Sequence, residues 1–98
     1  MPRFAAKKDG NQQEIQQAFE QCGCVVLDCS RYEGFVDLMV WRNQPRLVEV
    51  KAPKGSLTPS QKELRDKWPG PIHVVRSVDE ALLLVKAWND EARGKLPW

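Results

Sequence analysis

Ninety-eight residues allow one small domain with a single core and little chain to spare. A composition that is 42% hydrophobic and 29% charged, without a low-complexity run, excludes a disordered tail or a fibrous chain, and no apolar stretch nears the roughly 20 residues of a membrane span. A net charge of +2 is too small to argue for nucleic-acid binding alone. Met1-Pro-Arg-Phe-Ala-Ala-Lys-Lys8 is too weakly apolar for a signal peptide, and three cysteines (Cys22, Cys24 and Cys29) suit a reducing compartment. The reading is a single cytoplasmic domain over residues 1–98.

Residues 1–10 read as a polar arm. From Asn11 a helix is expected, because Ile15, Ala18, Phe19 and Cys22 recur at helical spacing. Asn11 is placed to cap it and Gly23 to end it. Cys24-Val-Val-Leu-Asp-Cys29 reads as a strand, followed by Gly34-Phe-Val-Asp-Leu-Met-Val-Trp41. In the latter, Phe35, Asp37, Met39 and Trp41 alternate with Val36, Leu38 and Val40. Arg42-Asn-Gln-Pro-Arg46 is short enough for a hairpin into Leu47-Val-Glu-Val-Lys-Ala52, where Leu47, Glu49 and Lys51 share a face.

After a loop, Thr58-Pro-Ser-Gln61 offers a capping residue, a first-turn proline and a glutamine to close a capping box. That helix runs to about Trp68, where Pro69-Gly-Pro71 stops it. Ile72-His-Val-Val75 is a short strand, with His73 read as a core histidine, and Ser77-Val-Asp-Glu80 opens a last helix through Ala81, Leu82, Leu84, Val85 and Trp88. Residues 94–98 form a tail. The order α-β-β-β-α-β-α gives an α/β fold: three strands favour antiparallel neighbours, and the strand–helix–strand step favours a parallel crossover.

Charge stands in the two central strands where apolar residues belong. Paired as a hairpin, they bring Asp37, Glu49 and Lys51 together on one face near one end. Two carboxylates beside an ammonium suit divalent-metal phosphodiester chemistry. Hard cations such as Mg²⁺ or Mn²⁺ take oxygen ligands, here Asp37, Glu49 and the Val50 backbone carbonyl. Lys51 would orient a water or stabilise developing charge, and its plainer reading is an ion pair with Glu49. Zinc on the cysteines is disfavoured by the Cys-x-Cys spacing.

Gly34-Phe-Val-Asp37, Val48-Glu-Val-Lys51, Leu57-Thr-Pro-Ser-Gln61 and Val74-Val-Arg-Ser-Val-Asp-Glu-Ala81, in this order, resemble the stand-alone virus-type replication–repair nuclease (VRR-NUC) branch of the PD-(D/E)XK superfamily. The likeness spans about Glu14 to Leu84, with Val36 where the superfamily label has proline. It implies a nuclease core around a small mixed sheet flanked by helices. It also implies a metal-dependent, structure-selective DNA endonuclease like the homodimeric Holliday-junction resolvases, with no membrane and no small-molecule cofactor, in a bacterial or phage-infected cell. It adds Glu14 as a metal ligand on the first helix and gives Gln61 a place facing the site, although support of the helix start accounts for Glu14 and capping alone for Gln61. Lys54, Lys62, Arg65 and Arg76 are then the candidate DNA contacts, and Leu83, Val85 and Trp88 a candidate dimer face. The alternatives are a restriction- or flap-type nuclease on linear or branched duplex and a non-catalytic DNA-binding module.

Overall fold

Periodicity and capping chemistry set the elements. In the computed structural model, which describes residues 10–94, they are α1 (Gln12–Gln21), β1 (Val25–Asp28), β2 (Leu38–Trp41), β3 (Pro45–Val50), α2 (Pro59–Lys67), β4 (Ile72–Val75) and α3 (Val78–Gly94). The expected arm and tail fall outside the described residues, apart from Gly10 and Gly94. The strands form one sheet in the order β1-β2-β3-β4, the first three antiparallel and β4 parallel to β3. The chain is thus a small α/β protein with a mixed four-stranded sheet and three helices. Among the described residues no helix is long and apolar enough to cross a membrane.

Side-chain alternation divides the sheet into two unlike faces. Leu38, Val40, Val48, Val50 and Val75 point to a core completed by Ile15, Ala18 and Phe19 of α1 and Ala81, Val85 and Trp88 of α3. Phe19 stacks on Trp88 with ring centroids 5.9 Å apart, and His73 meets the same indole edge-on at 5.4 Å. Burial holds the His73 pKa below its ordinary value, with the nearby Arg46 charge adding to the effect.

Arg46 is buried at the hairpin end. Its guanidinium lies 4.7 Å from the centre of the Trp88 ring and pairs with Glu91 at 3.1 Å. Arg42 donates to Asn89 and to the Cys22 carbonyl. Both hairpin arginines are therefore tied into packing away from the acidic pair. Val85 and Trp88 belong to the core, so the dimer face expected on α3 is corrected: of its three residues only Leu83 is exposed.

Two local expectations also change. Asn11 makes no side-chain cap on α1; its amide donates instead to the carbonyls of Lys51 (3.1 Å) and Arg76 (2.9 Å), joining the helix start to the ends of β3 and β4. Because both acceptors lose their donor together, Asn11→Ala is expected to cost about 1–2 kcal/mol, measurable by urea denaturation. Strand pairing in β2 begins at Leu38 and not at Gly34, since side chains take over from the backbone ladder at Asp37. Val36 consequently leaves the expected alternation and lies beside Glu49, Leu57 and Leu64 on the other face.

The turns use residues suited to them. Gly23, just past α1, has φ +89°, and Asn43 of the hairpin has φ +69°, where a short amide side chain is tolerated. Thr58 and Gln61 form a complete capping box on α2, which otherwise buries no residue. At α3, Ser77 Oγ accepts the Glu80 N–H, while the Glu80 carboxylate accepts from Arg76 N–H, one residue earlier than a standard box.

Candidate active site

The β2–β3 register sets Leu38 opposite Val48, and its continuation by one pair sets Asp37 opposite Glu49. The two acids then replace ladder bonds reciprocally. Asp37 N–H donates to Glu49 Oε1 at 3.2 Å, and Val50 N–H donates to Asp37 Oδ2 at 2.8 Å. A strand residue directs its N–H and C=O to the same side, so the Val50 carbonyl faces the gap that holds Asp37. Lys51 N–H instead turns to β4 and donates to the Val75 carbonyl at 3.0 Å.

Glu49 is only 2% exposed, and its Oε2 is buried without a hydrogen-bond partner. Its pKa is raised from 4.5 to about 7, first by burial and then by the neighbouring Asp37 charge. Lys51, the Asp37 N–H and the Gln61 side chain act in the opposite direction. A buried carboxylate oxygen with no donor is costly unless another positive group reaches it. The apolar walls Val36, Leu57, Leu64, Ile72 and Val74 cannot supply one, and the polar groups that share the pocket are Gln61 and Arg65.

The structure brings four sequence-predicted residues together: Asp37, Glu49, the buried Lys51 and Gln61. Gln61 holds its structural role at the same time, with Oε1 accepting Thr58 N–H at 2.9 Å. Its Nε2 remains the donor end, which is the end able to face an anionic group. Among the described residues no three His, Cys, Asp or Glu side chains gather to hold a metal ion. The acidic donors are accordingly the pair Asp37 and Glu49. With the Val50 carbonyl they make an all-oxygen set that fits Mg²⁺ or Mn²⁺, ions that retain waters and take one or two carboxylates. The orphaned Glu49 Oε2 is the observation that favours this fit.

Glu14 stands apart. It is exposed on α1 and makes no hydrogen bond or ion pair with another described residue. The inward residue at this helix start is Gln12, 2% exposed, which donates to Asp28 Oδ1 at 3.4 Å and leaves its own Oε1 buried without a partner. Sequence reasoning passed over Gln12 because an uncharged residue one turn before the apolar stripe carries no chemical signal. Its only pointer was position, three residues ahead of Ile15.

The candidate DNA contacts divide similarly. Arg65 and Arg76 line one open groove of about 530 Å³ along the outer side of β4, with Leu57, Ile72, His73, Val74 and the opposing acid Glu80. Arg65 also borders the Glu49 site. Lys54 and Lys62 are exposed on the loop and on α2 and border neither space. Cys22, Cys24 and Cys29 are free thiols, and burial raises the pKa of the last two. No protein-family model matches this chain, and no curated protein or solved structure does either.

Proposed function

We propose that this protein is a divalent-metal-dependent DNA endonuclease of the PD-(D/E)XK type and the VRR-NUC branch, selective for DNA structure in the manner of a Holliday-junction resolvase. One observation carries the reading: Asp37 and Glu49 face each other across adjacent strands, Lys51 follows one alternation later, and a carboxylate oxygen of Glu49 is buried without a donor.

Asp37, Glu49 and the Val50 carbonyl would hold the cation, which when bound offsets phosphate charge and makes a water more acidic. The remaining work falls to the chain. Lys51, a donor only, points its ammonium at the attacking oxygen or at charge growing on the phosphate. Gln61, with Oε1 fixed by Thr58, presents Nε2 as a second donor. The walls of Val36, Leu57 and Leu64 exclude water from the inner side of Glu49, strengthening these interactions. Arg65 and Arg76 contact backbone phosphates beside the site, which positions a strand without reading its sequence.

The test incubates purified protein with labelled four-way junction, flap and linear duplex in Mg²⁺, Mn²⁺ or EDTA. Metal-dependent incision of the junction, faster than of linear duplex, is the expected result. Preferred cutting of flap or linear ends assigns the restriction- or flap-type alternative. Binding with no metal-dependent product on any substrate leaves only the non-catalytic module.

A further inference from the structure

Trp68 closes α2, its N–H donating to the Leu64 carbonyl at 2.9 Å, yet its indole stays 40% exposed. The backbone passes close beside it, since a Cβ at Gly70 would stand 3.4 Å from the indole Nε1. Trp68, Phe35, Met39 and the buried Leu47 line a depression of about 420 Å³. That lies within the roughly 300–1,000 Å³ of clefts that take small ligands.

The lining is not wholly apolar, because Gln44, Arg46 and His73 border the same space. Arg46 is held in place by Trp88 and Glu91 and brings a fixed positive charge. His73, kept below its ordinary pKa, is neutral at pH 7 and carries one donor and one acceptor nitrogen. The Gln44 amide offers the same combination. Aromatic walls with donors and acceptors beside them match a flat heteroaromatic ring, whose faces stack and whose edge hydrogen-bonds. An aliphatic chain would leave those polar groups unmatched.

Placement narrows the ligand. Met39 pairs with Leu47 across β2 and β3, and two residues further along the same strands stand Asp37 and Glu49. The separation is roughly 7 Å, within the reach of one nucleotide. We infer that the depression receives one unpaired nucleobase, stacked on Trp68, while the adjoining phosphate lies at Asp37 and Glu49. This inference rests on the nuclease reading and gives it a substrate feature. A base inside a duplex has both faces covered by its neighbours, so only an unstacked base can enter. Branch points, bulges and flaps supply such bases, and continuous duplex does not. Stacking tolerates any base, because every base has a π-face. The depression thus selects DNA structure without reading sequence.

The experiment measures binding of the full chain in EDTA by fluorescence anisotropy, so that cleavage plays no part. The probes are a duplex with a one-nucleotide bulge and the same duplex with an abasic bulge. The bulged base is expected to raise affinity about ten-fold over the abasic site. Trp68→Ala is expected to bring that ratio below about two-fold with affinity for the abasic probe unchanged. Trp41→Ala, an exposed tryptophan outside the depression, keeps the wild-type ratio. Circular dichroism and the thermal midpoint check the fold. If Trp68→Ala loses its midpoint, Gly70→Leu decides instead, since Gly70 is exposed and a side chain there crowds the indole. Equal wild-type affinity for the two probes, a ratio that survives in the deciding variant, or its loss in Trp41→Ala as well would each overturn the inference. Base discrimination through Trp68 without metal-dependent cutting leaves the pocket standing and defeats the nuclease reading. Metal-dependent cutting with equal affinities does the reverse.

Discussion

Lys51→Ala is expected to lower metal-dependent junction cleavage about 10³-fold while leaving junction affinity in EDTA near the wild-type value. Losing a positioned donor or proton-transfer group typically costs roughly 10²–10⁴ in rate. Lys51 sits at the upper part of that range because it is buried beside the Glu49 carboxylate, where water is a poor substitute. Asp37→Asn is the companion change. It keeps the shape and an oxygen that can accept the Val50 N–H, so its loss of activity reads out charge and not folding. Single-turnover rates on the four-way junction, with binding measured separately by fluorescence anisotropy, separate the two effects. A Lys51→Ala enzyme that cuts at the wild-type rate would remove this lysine from the mechanism whatever the activity of the protein.

The second large effect is on stability, and its sign is unusual for a carboxylate. Glu49 has a folded pKa of about 7 against 4.5 for the free side chain. Between these values the folded state holds a proton that the unfolded state has released. Stability of the metal-free protein therefore falls as pH rises from about 4.5 to 7, and is level beyond. The size is on the order of 3 kcal/mol, from 1.36 kcal/mol per pKa unit. His73 contributes with the opposite sign: its folded pKa lies below the ordinary value, so its share of stability is lost as pH falls. The clean measurement is thus a difference. Urea denaturation in EDTA at pH 5 and pH 8, for wild type and Glu49→Gln, should show the variant relatively more stable at pH 8 by about this amount. Equal pH slopes in the two proteins would mean that Glu49 ionises normally.

Much of this was legible in the residues. The Ile15–Phe19 stripe, the Thr58–Gln61 box and the alternation around Glu49 led to elements that form in the expected order. The convergence of Asp37 with Glu49 and Lys51 followed from a hairpin register that a short turn nearly dictates. Other parts depended on contacts far apart in the chain. Asn11 carries the local signature of a helix cap, yet two carbonyls 40 and 65 residues away bind its amide instead. Arg42 and Arg46 look like solvated charge in the sequence, but Trp88, Glu91 and Asn89 arrive from the last helix to hold them. Alternation groups Val36 with Leu38 and Val40, but it stops at Asp37, where carboxylates replace ladder bonds, and Val36 lies with Glu49 instead.

The shallow seating of α2 has a dynamic consequence. The helix carries both Gln61 and Arg65, yet it buries none of its residues, and its best-defined anchor is the capping box at its first turn. Segments with so little buried surface open at free energies well below that of global unfolding. Amides of Pro59–Lys67 beyond the first turn should therefore exchange far sooner than those of β3. The donor Gln61 would then be recruited by the substrate, and the two carboxylates would wait in place on the rigid strands.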